Sequence, residues 1–192
     1  MNHRRFLLGA PALFSVLAVQ SFAQPFVVFP KAGQLVSPDG RFVVRNAESE
    51  KATSDFVGTF HSLWLVDQSS GRARKLCDYV GVAAVAWSDN DFLVVTQYLS
   101  KKTSRALVFP VASSQDAIML DQPTLVQLIP PERREFLRDN DHVFVEAWRL
   151  EGDTLFLSVW GYGQHDPKGF SWRCNYALQE GTLSCTDGRN PH

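Results

Sequence analysis

The stretch that decides the fold runs from Val36 to Val44 and reads VSPDGRFVV. Pro38 presets φ for a turn, Asp39 can hydrogen-bond the backbone two residues on, and Gly40 accepts a positive φ. The aromatic and β-branched residues that follow are typical of a strand. The stretch therefore predicts a β-hairpin.

Two later stretches repeat this order of an apolar residue, a polar turn and a strand. They read WSDNDFLVV at 87–95 and, more loosely, RLEGDTLFL at 149–157. Other β-prone runs are separated by turn residues, such as those of Asp67 to Gly71. Together these patterns predict an all-β fold of antiparallel hairpins in about three repeated units, with a β-sandwich as the alternative.

One segment departs from the β pattern. Pro130 and Pro131 precede Glu132, and the residues that follow favour a helix. Proline suits the first helical turn, and an acidic side chain suits the positive end of the helix dipole. We expect one short helix near 131–138.

The motifs SPDGRF, LWLVD followed by SG, and AWS resemble the repeat of TolB-type β-propellers, which are related in architecture to WD repeats. The resemblance covers about residues 34–100, and its second copy lacks the proline and glycine of the motif. It implies a scaffold of blades that binds other proteins, often in the periplasm, with no catalytic residues. Closed propellers use about four to eight blades, so three repeats in one chain would not close a ring.

The N-terminus predicts export. A short basic region at 1–5, which contains Arg4 and Arg5, precedes a 14-residue apolar run at 6–19, and small residues end at Ala23. This order is typical of a secretory signal peptide over residues 1–23, followed by a single β-rich domain over 24–192. Arg4 and Arg5 leave the general and the twin-arginine export routes both open. The expected location is periplasmic or secreted, in a bacterium.

The charge of the expected mature chain excludes one class of partner. The chain has 19 basic and 20 acidic side chains, and only Arg4 and Arg5 fall within the signal. The remaining weak negative balance provides no electrostatic footprint for nucleic acid or for an anionic membrane surface. No second apolar stretch long enough to span a bilayer follows residue 23.

Cysteine spacing predicts a disulfide. Cys174 and Cys185 flank two strand-like runs around Gln179 and Glu180. A two-residue loop there places the cysteines opposite each other at about 4.5–5.5 Å, which suits a disulfide. A three-residue loop would place them on opposite faces. The first register pairs them and leaves Cys77 as an unpaired, buried thiol.

The segment GYGQHDPKGF at 161–170 is a candidate binding loop. Glycines and a proline at its ends favour sharp turns, and Tyr162, His165 and Asp166 lie between them. Polar loops on a β scaffold often carry binding or catalytic groups. The same residues are also typical of an ordinary hairpin loop, in which Asp166 and Pro167 act only as turn residues.

Aromatic residues flank this segment. Trp160 and Trp172 lie on either side of it and could form a binding face for a protein or a glycan, or could pack in the core. His142 is a further candidate that would join the site if the fold brought it near His165 and Asp166.

These features favour a binding protein over an enzyme. The chain lacks the motifs G-x-S-x-G, H-E-x-x-H and C-x-x-C, and no cofactor or metal site is predicted. The leading hypothesis is a non-enzymatic exported protein that binds a protein partner in the cell envelope, one version being an inhibitor or immunity protein. The alternative is a secreted hydrolase centred on His165 and Asp166. An oligomer whose blades complete a ring is a third hypothesis.

Overall fold

The structure is a computed structural model that describes residues 25–49, 60–88, 91–112, 116–164 and 166–188. The predicted signal peptide and His165 lie outside the described residues. The described chain is mostly β and forms three antiparallel sheets, which confirms the predicted all-β class.

Consecutive strands build the first and third sheets, and the second sheet combines β1 with four later consecutive strands. The first sheet contains β2 (Gln34–Val36), β3 (Phe42–Ser49), β4 (Phe60–Asp67) and β5 (Ala73–Val80). The second contains β1 (Val27–Phe29), β6 (Ala83–Ser88), β7 (Phe92–Tyr98), β8 (Ser104–Pro110) and β9 (Ile118–Leu120). The third contains β10 (His142–Glu151), β11 (Thr154–Tyr162), β12 (Phe170–Ala177) and β13 (Thr182–Asp187).

The three repeated stretches occupy equivalent places in the three sheets. They form the turns β2–β3, β6–β7 and β10–β11, although residues 89–90 of the second turn lie outside the described ranges. In the first turn, Gly40 has φ +72° and its N–H donates to the Ser37 carbonyl at 2.9 Å. The Phe42 N–H donates to Ser37 Oγ at 2.9 Å, which starts β3.

The connection between the second and third sheets is helical. It contains α1 (Gln122–Leu128), a 3₁₀ turn (Pro131–Arg133) and α2 (Arg134–Asp139). The prediction of a helix near 131–138 was right in place, but the prediction of only one helix was wrong. Asp121 caps α1 because its carboxylate accepts a hydrogen bond from the Thr124 N–H at 3.0 Å.

The second sheet lies between the other two and is buried on both faces. Val95 of β7 belongs to a core shared with the first sheet, which includes Leu63. Its neighbour Val94 belongs to a core shared with the third sheet and the helices, which includes Leu157. Successive side chains of a strand point to opposite faces, so the apolar run of β7 supplies both cores.

Side chains of the second sheet also hold the edge of β10. Ser104 Oγ donates to the Val145 carbonyl at 3.1 Å and accepts from the Val145 N–H at 2.9 Å. Thr96 Oγ1 accepts from the Ala147 N–H at 3.0 Å. These bonds satisfy backbone groups of a strand that lies at the edge of its own sheet, and they fix the third sheet on the second.

Cys174 and Cys185 form the predicted disulfide across β12 and β13. The two residues are directly opposite in the register, with a Cα–Cα distance of 4.1 Å. The last strand pair before the turn is Ala177 with Thr182, so the register is the one that the two-residue loop required. The bond ties the edge strand β13 to the rest of the sheet.

Candidate binding face on the third sheet

Alternation along β10 and β11 creates one buried and one outer face. The core-facing positions include Val143, Val145, Leu157 and Val159. Their neighbours point outward because strand side chains alternate. The register places His142 opposite Tyr162 and Phe144 opposite Trp160 on that outer face.

These four side chains form a stack of rings that we call the aromatic ladder. The ring centroids of His142 and Tyr162 are 4.4 Å apart and the planes differ by 12°. Tyr162 lies 6.2 Å from Trp160 at 17°, and Trp160 lies 4.1 Å from Phe144 at 18°. Each of the two rings on β11 therefore stacks on one ring of β10, and Tyr162 and Trp160 are neighbours along β11. Pairs of this kind contribute about 0.5–1.5 kcal/mol each beyond simple burial.

A carboxylate anchors the inner end of the ladder. Glu146 Oε1 accepts from the Tyr98 hydroxyl at 3.0 Å, and Glu146 Oε2 accepts from Trp160 Nε1 at 3.4 Å. Burial, and then the charge and hydrogen bond of Glu146, raise the pKa of Tyr98 to about 12. Tyr98 therefore stays protonated at physiological pH and remains a donor to Glu146.

A register shift between Ala147 and Arg149 places Trp148 outside the ladder. Trp148 is 44% exposed, and the guanidinium carbons of Arg149 and Arg173 lie 5.1 and 5.3 Å from its ring centroid. Arg149 also lies 4.1 Å from the ring centroid of Phe156. We call these four residues the cationic–aromatic cluster, whose contacts have cation–π geometry.

His142 is held by its neighbours at the outer end of the ladder. Its Nδ1 lies 2.9 Å from Asp141 Oδ1, and Lys102 Nζ lies 3.3 Å from Asp141 Oδ2. The hydrogen bond from His142 is the largest cause that lowers the pKa of Asp141. His142 therefore contacts the Asp141 carboxylate and the Tyr162 ring, and not Asp166.

The predicted site residues are brought together only in part. His142, Trp160 and Tyr162 share the outer face, but Tyr162 ends β11 and does not belong to the predicted loop. His165 lies outside the described residues. The Asp166 carboxylate accepts a hydrogen bond from the Gly169 N–H at 3.1 Å, within the connection between β11 and β12.

Trp172 does not belong to this face. It pairs with Val159, so it points to the core side of the sheet, where it is 4% exposed. Its ring packs edge-on against Phe136 at 6.1 Å, and the Arg133 guanidinium lies 5.5 Å from its centroid. Of the two alternatives for these tryptophans, Trp172 therefore follows core packing, and it does not share a face with Trp160, because Trp160 pairs with Ser171.

Residues that sequence reasoning missed complete the outer face. They are Phe144, Glu146, Trp148, Arg149, Phe156 and Arg173. The alternation in HVFVEAW, with valines at every second position, was the available signal. The register shift between Ala147 and Arg149 breaks that alternation, and the residue types around it do not predict the shift.

No group of three or more His, Cys, Asp and Glu side chains among the described residues is placed to hold a metal ion. Cys77, the free thiol in that part of the chain, lines a cleft of about 520 Å³ between the first and second sheets. Burial raises the pKa of Cys77 to about 12, so a nucleophilic thiolate is disfavoured there.

A scan of protein-family models and searches of curated proteins and of solved structures find no match to this chain. The likeness to TolB-type repeats therefore remains a prediction from short motifs. None of the helices in the described ranges has the length and apolarity that a membrane crossing requires.

Proposed function

We propose that this chain is an exported, non-enzymatic protein that binds a protein partner through the outer face of its third sheet. The observation that carries the proposal is the aromatic ladder and the cationic–aromatic cluster, which lie side by side on β10, β11 and β12. Tryptophan, tyrosine and arginine are the residue types most enriched where protein interfaces concentrate their binding energy.

The ladder's geometry favours a protein over a glycan. A sugar ring stacks on an open aromatic face, and the rings of His142 and Phe144 already cover one face of Tyr162 and one face of Trp160. Ring edges and the partly exposed Tyr162 and Trp148 remain, at 37% and 44% exposure. Such a surface suits apolar side chains and carbonyl groups of a second protein.

The envelope location rests on two independent features. The N-terminal residues predict a signal peptide, and the disulfide between Cys174 and Cys185 requires an oxidising compartment in most organisms. Both fit a bacterial periplasm or the cell exterior. An inhibitor or immunity protein is one kind of envelope binder that this description covers.

The proposed scaffold is an open array of three TolB-like units. Each sheet contains one hairpin of the repeated type, and adjacent sheets pack face to face across two cores. Neither of the other two sheets of the described residues packs on the outer face of the third sheet. This arrangement leaves the aromatic ladder available to a partner.

Photo-crosslinking in cells tests the proposal. A benzoylphenylalanine at Tyr162 or Trp148 should give one adduct of defined mass, while the same residue at Val36, 43% exposed on the first sheet, should not. Tyr162→Ala and Trp148→Ala should each weaken partner capture by about tenfold or more, as expected at interface hot spots, with Val36→Ala as the control.

The opposite results would overturn the proposal. Equal adducts from Tyr162, Trp148 and Val36 would indicate non-specific contact. Absence of any adduct, in protein recovered folded and oxidised from its export compartment, would indicate that this face has no protein partner.

A further inference from the structure

The strand β13 forms an open edge of the third sheet. Within the described ranges it pairs with β12 alone, and it is six residues long, with a regular register and with neither proline nor lysine. Its residues are exposed or half-buried along the whole strand. Such an edge presents backbone N–H and C=O groups that a further strand can bind.

The other sheet edges in the described part of the chain are short, interrupted or covered. The edge strands β1, β2 and β9 contain three residues each. The pairing of β5 with β4 contains a register shift, and the Asp78 carbonyl of β5 accepts a hydrogen bond from Gln97 Nε2. The side chains of Ser104 and Thr96 bond the backbone of β10. Proteins protect sheet edges by features of this kind, and β13 has none of them.

The register of β12 and β13 shows which backbone groups of β13 point outward. The Gly188 N–H donates to the Ser171 carbonyl at 2.8 Å, so this pair is hydrogen-bonded. Hydrogen-bonded and non-hydrogen-bonded pairs alternate along an antiparallel ladder. The pair of Cys174 and Cys185 is therefore non-hydrogen-bonded, which agrees with its short Cα–Cα distance of 4.1 Å. The residues of β13 whose N–H and C=O groups point away from β12 are Leu183, Cys185 and Asp187.

These outward groups match those of a second copy of the same strand. In an antiparallel pair centred on Cys185, Leu183 of each copy lies opposite Asp187 of the other, and Cys185 lies opposite Cys185. All three outward-facing residues of each copy then exchange N–H···O=C bonds across the pair. A shift of one residue would oppose outward groups to inward ones, and a shift of two would deprive Leu183 or Asp187 of an outward-facing partner. The match is therefore complete in one register.

The side chains of β13 are compatible with the same register. On the outer face, Ser184 of each copy lies opposite Thr186 of the other, and hydroxyl pairs of this kind are favourable across strands. Asp187 is the charged residue of β13, and it lies opposite a leucine rather than a second carboxylate. Its charge is paired with Arg133 of its own chain at 3.2 Å. The register therefore opposes no like charges along the strand.

The register also places an apolar side chain at the rim of an aromatic pocket. Leu183 packs against the core, so the alternation directs Leu183 and Asp187 to the core-facing side of the sheet. Asp187 lines a pocket of about 420 Å³ there. The aromatic residues of its lining are Phe136, Phe170 and Trp172. Leu183 of the second copy would lie beside Asp187, where it can contact this lining and shield the ion pair with Arg133 from water. Two-fold symmetry makes the same contact twice.

We infer that β13 pairs with β13 of a second copy of this chain, so that two third sheets of four strands each form one continuous sheet. The inference goes beyond the proposed function and does not depend on it, because the aromatic ladder lies on β10 and β11. An interface of one strand from each copy is small, so we expect a dissociation constant on the order of 10 µM.

Sedimentation equilibrium of the mature protein tests the association. Across concentrations from about 1 to about 500 µM, we expect a shift from the mass of a monomer to that of a dimer, with no larger species. A closed two-fold interface uses the edge of both copies, so it does not continue into a fibre.

Charge variants at exposed outer positions test the register. Ser184→Lys with Thr186→Lys opposes like charges twice across the pair and should weaken the association by about tenfold. Ser184→Lys with Thr186→Glu opposes unlike charges at the same positions and should retain the dimer. Gln34→Lys with Val36→Lys adds two positive charges to exposed positions of the edge strand β2, and this control should leave the association unchanged.

Amide hydrogen exchange tests the ladder itself. The outward amides of Leu183, Cys185 and Asp187 should exchange about fivefold more slowly at about ten times the dissociation constant than in dilute protein, because only the monomer exposes them. The amides of Ser184 and Thr186 bond to β12 and should be protected at both concentrations.

Four results would overturn the inference. The protein remains a monomer at every concentration, the dimer persists in the variant with Ser184→Lys and Thr186→Lys, the variant with Ser184→Lys and Thr186→Glu is a monomer, or the outward amides of a dimer exchange at an unchanged rate. A monomer that loses capture of a different protein when Ser184→Lys and Thr186→Lys are introduced would assign this edge to a strand of that protein instead of a second copy.

Discussion

Asp39 stabilises the first hairpin turn through a charged acceptor. Its Oδ1 accepts from Ser37 Oγ at 2.6 Å and from the Arg41 N–H at 3.0 Å. These donors, that of Ser37 first, favour the ionised carboxylate and lower the pKa of Asp39. The turn at Asp67 uses the same device, since hydrogen bonds from Ser69 lower the pKa of Asp67.

The lowered pKa of Asp39 predicts a pH-dependent contribution to stability. That contribution is complete above the unfolded pKa of about 3.9 and is lost as the pH falls through the lower folded value. We expect Asp39→Asn to reduce the free energy of unfolding at pH 7 and to have a smaller effect at pH 3. Urea unfolding at both values measures this, with Asp153→Asn in the third hairpin turn as the control. An equal effect of Asp39→Asn at both pH values would contradict it.

Cys77 should react slowly in the native protein. Burial is the largest cause that raises its pKa from 9.0 to about 12, which reduces the thiolate at pH 8 about a thousandfold. A more basic thiolate is also a stronger nucleophile, which offsets roughly half of this decrease on a logarithmic scale. The reaction rate of native Cys77 should therefore be about 30-fold lower than that of a thiol with the ordinary pKa. The measurement is the rate at which a disulfide reagent reacts with the native protein, compared with the rate for the urea-unfolded protein. The Cys77→Ala variant is the control and should not react. A native rate equal to the unfolded rate would show that Cys77 is solvated.

At the scale of the element, the disulfide between β12 and β13 should stabilise the third sheet. The bond closes a loop with a sequence separation of 11 residues, for which chain entropy predicts about 3 kcal/mol. We expect Cys174→Ala with Cys185→Ala to lower the free energy of unfolding by about 2–3 kcal/mol in urea. Cys77→Ala provides a control that removes a thiol but no bond. A loss below about 0.5 kcal/mol would indicate that the hairpin is held by its packing alone.

Local chemistry explains which elements the sequence revealed. The turns at Asp39–Gly40 and Glu151–Gly152 were predictable because glycine and aspartate act within a few residues, and the cysteine register followed from alternation. The helix α1 was missed because its cap, Asp121, was not recognised as a helix start. The contact between Gly163 and Asn140 was not predictable, since it depends on the tertiary approach of the end of β11 to the end of α2.

At the scale of the whole molecule, the second sheet contributes side chains to both hydrophobic cores of the described residues, one on each of its faces. One core includes Leu63 of the first sheet, and the other includes Leu157 of the third sheet; both are fully buried. Ser88 Oγ also donates to the Gly152 carbonyl at 2.6 Å, which connects the second hairpin unit to the third. Loss of either core would expose one face of the shared sheet, so the two cores should unfold together.

Leu63→Ala and Leu157→Ala test this coupling. Each truncates a fully buried side chain and should cost about 2–5 kcal/mol, and each should lower the midpoint of one common transition. Calorimetry of the mature protein should show a single peak in both variants, with coincident loss of near- and far-ultraviolet circular dichroism. Val36→Ala, on an exposed strand of the first sheet, should move the midpoint little. Two resolved peaks in Leu157→Ala, one at the unaltered midpoint, would instead show that the third sheet and its aromatic ladder unfold independently of the first two sheets.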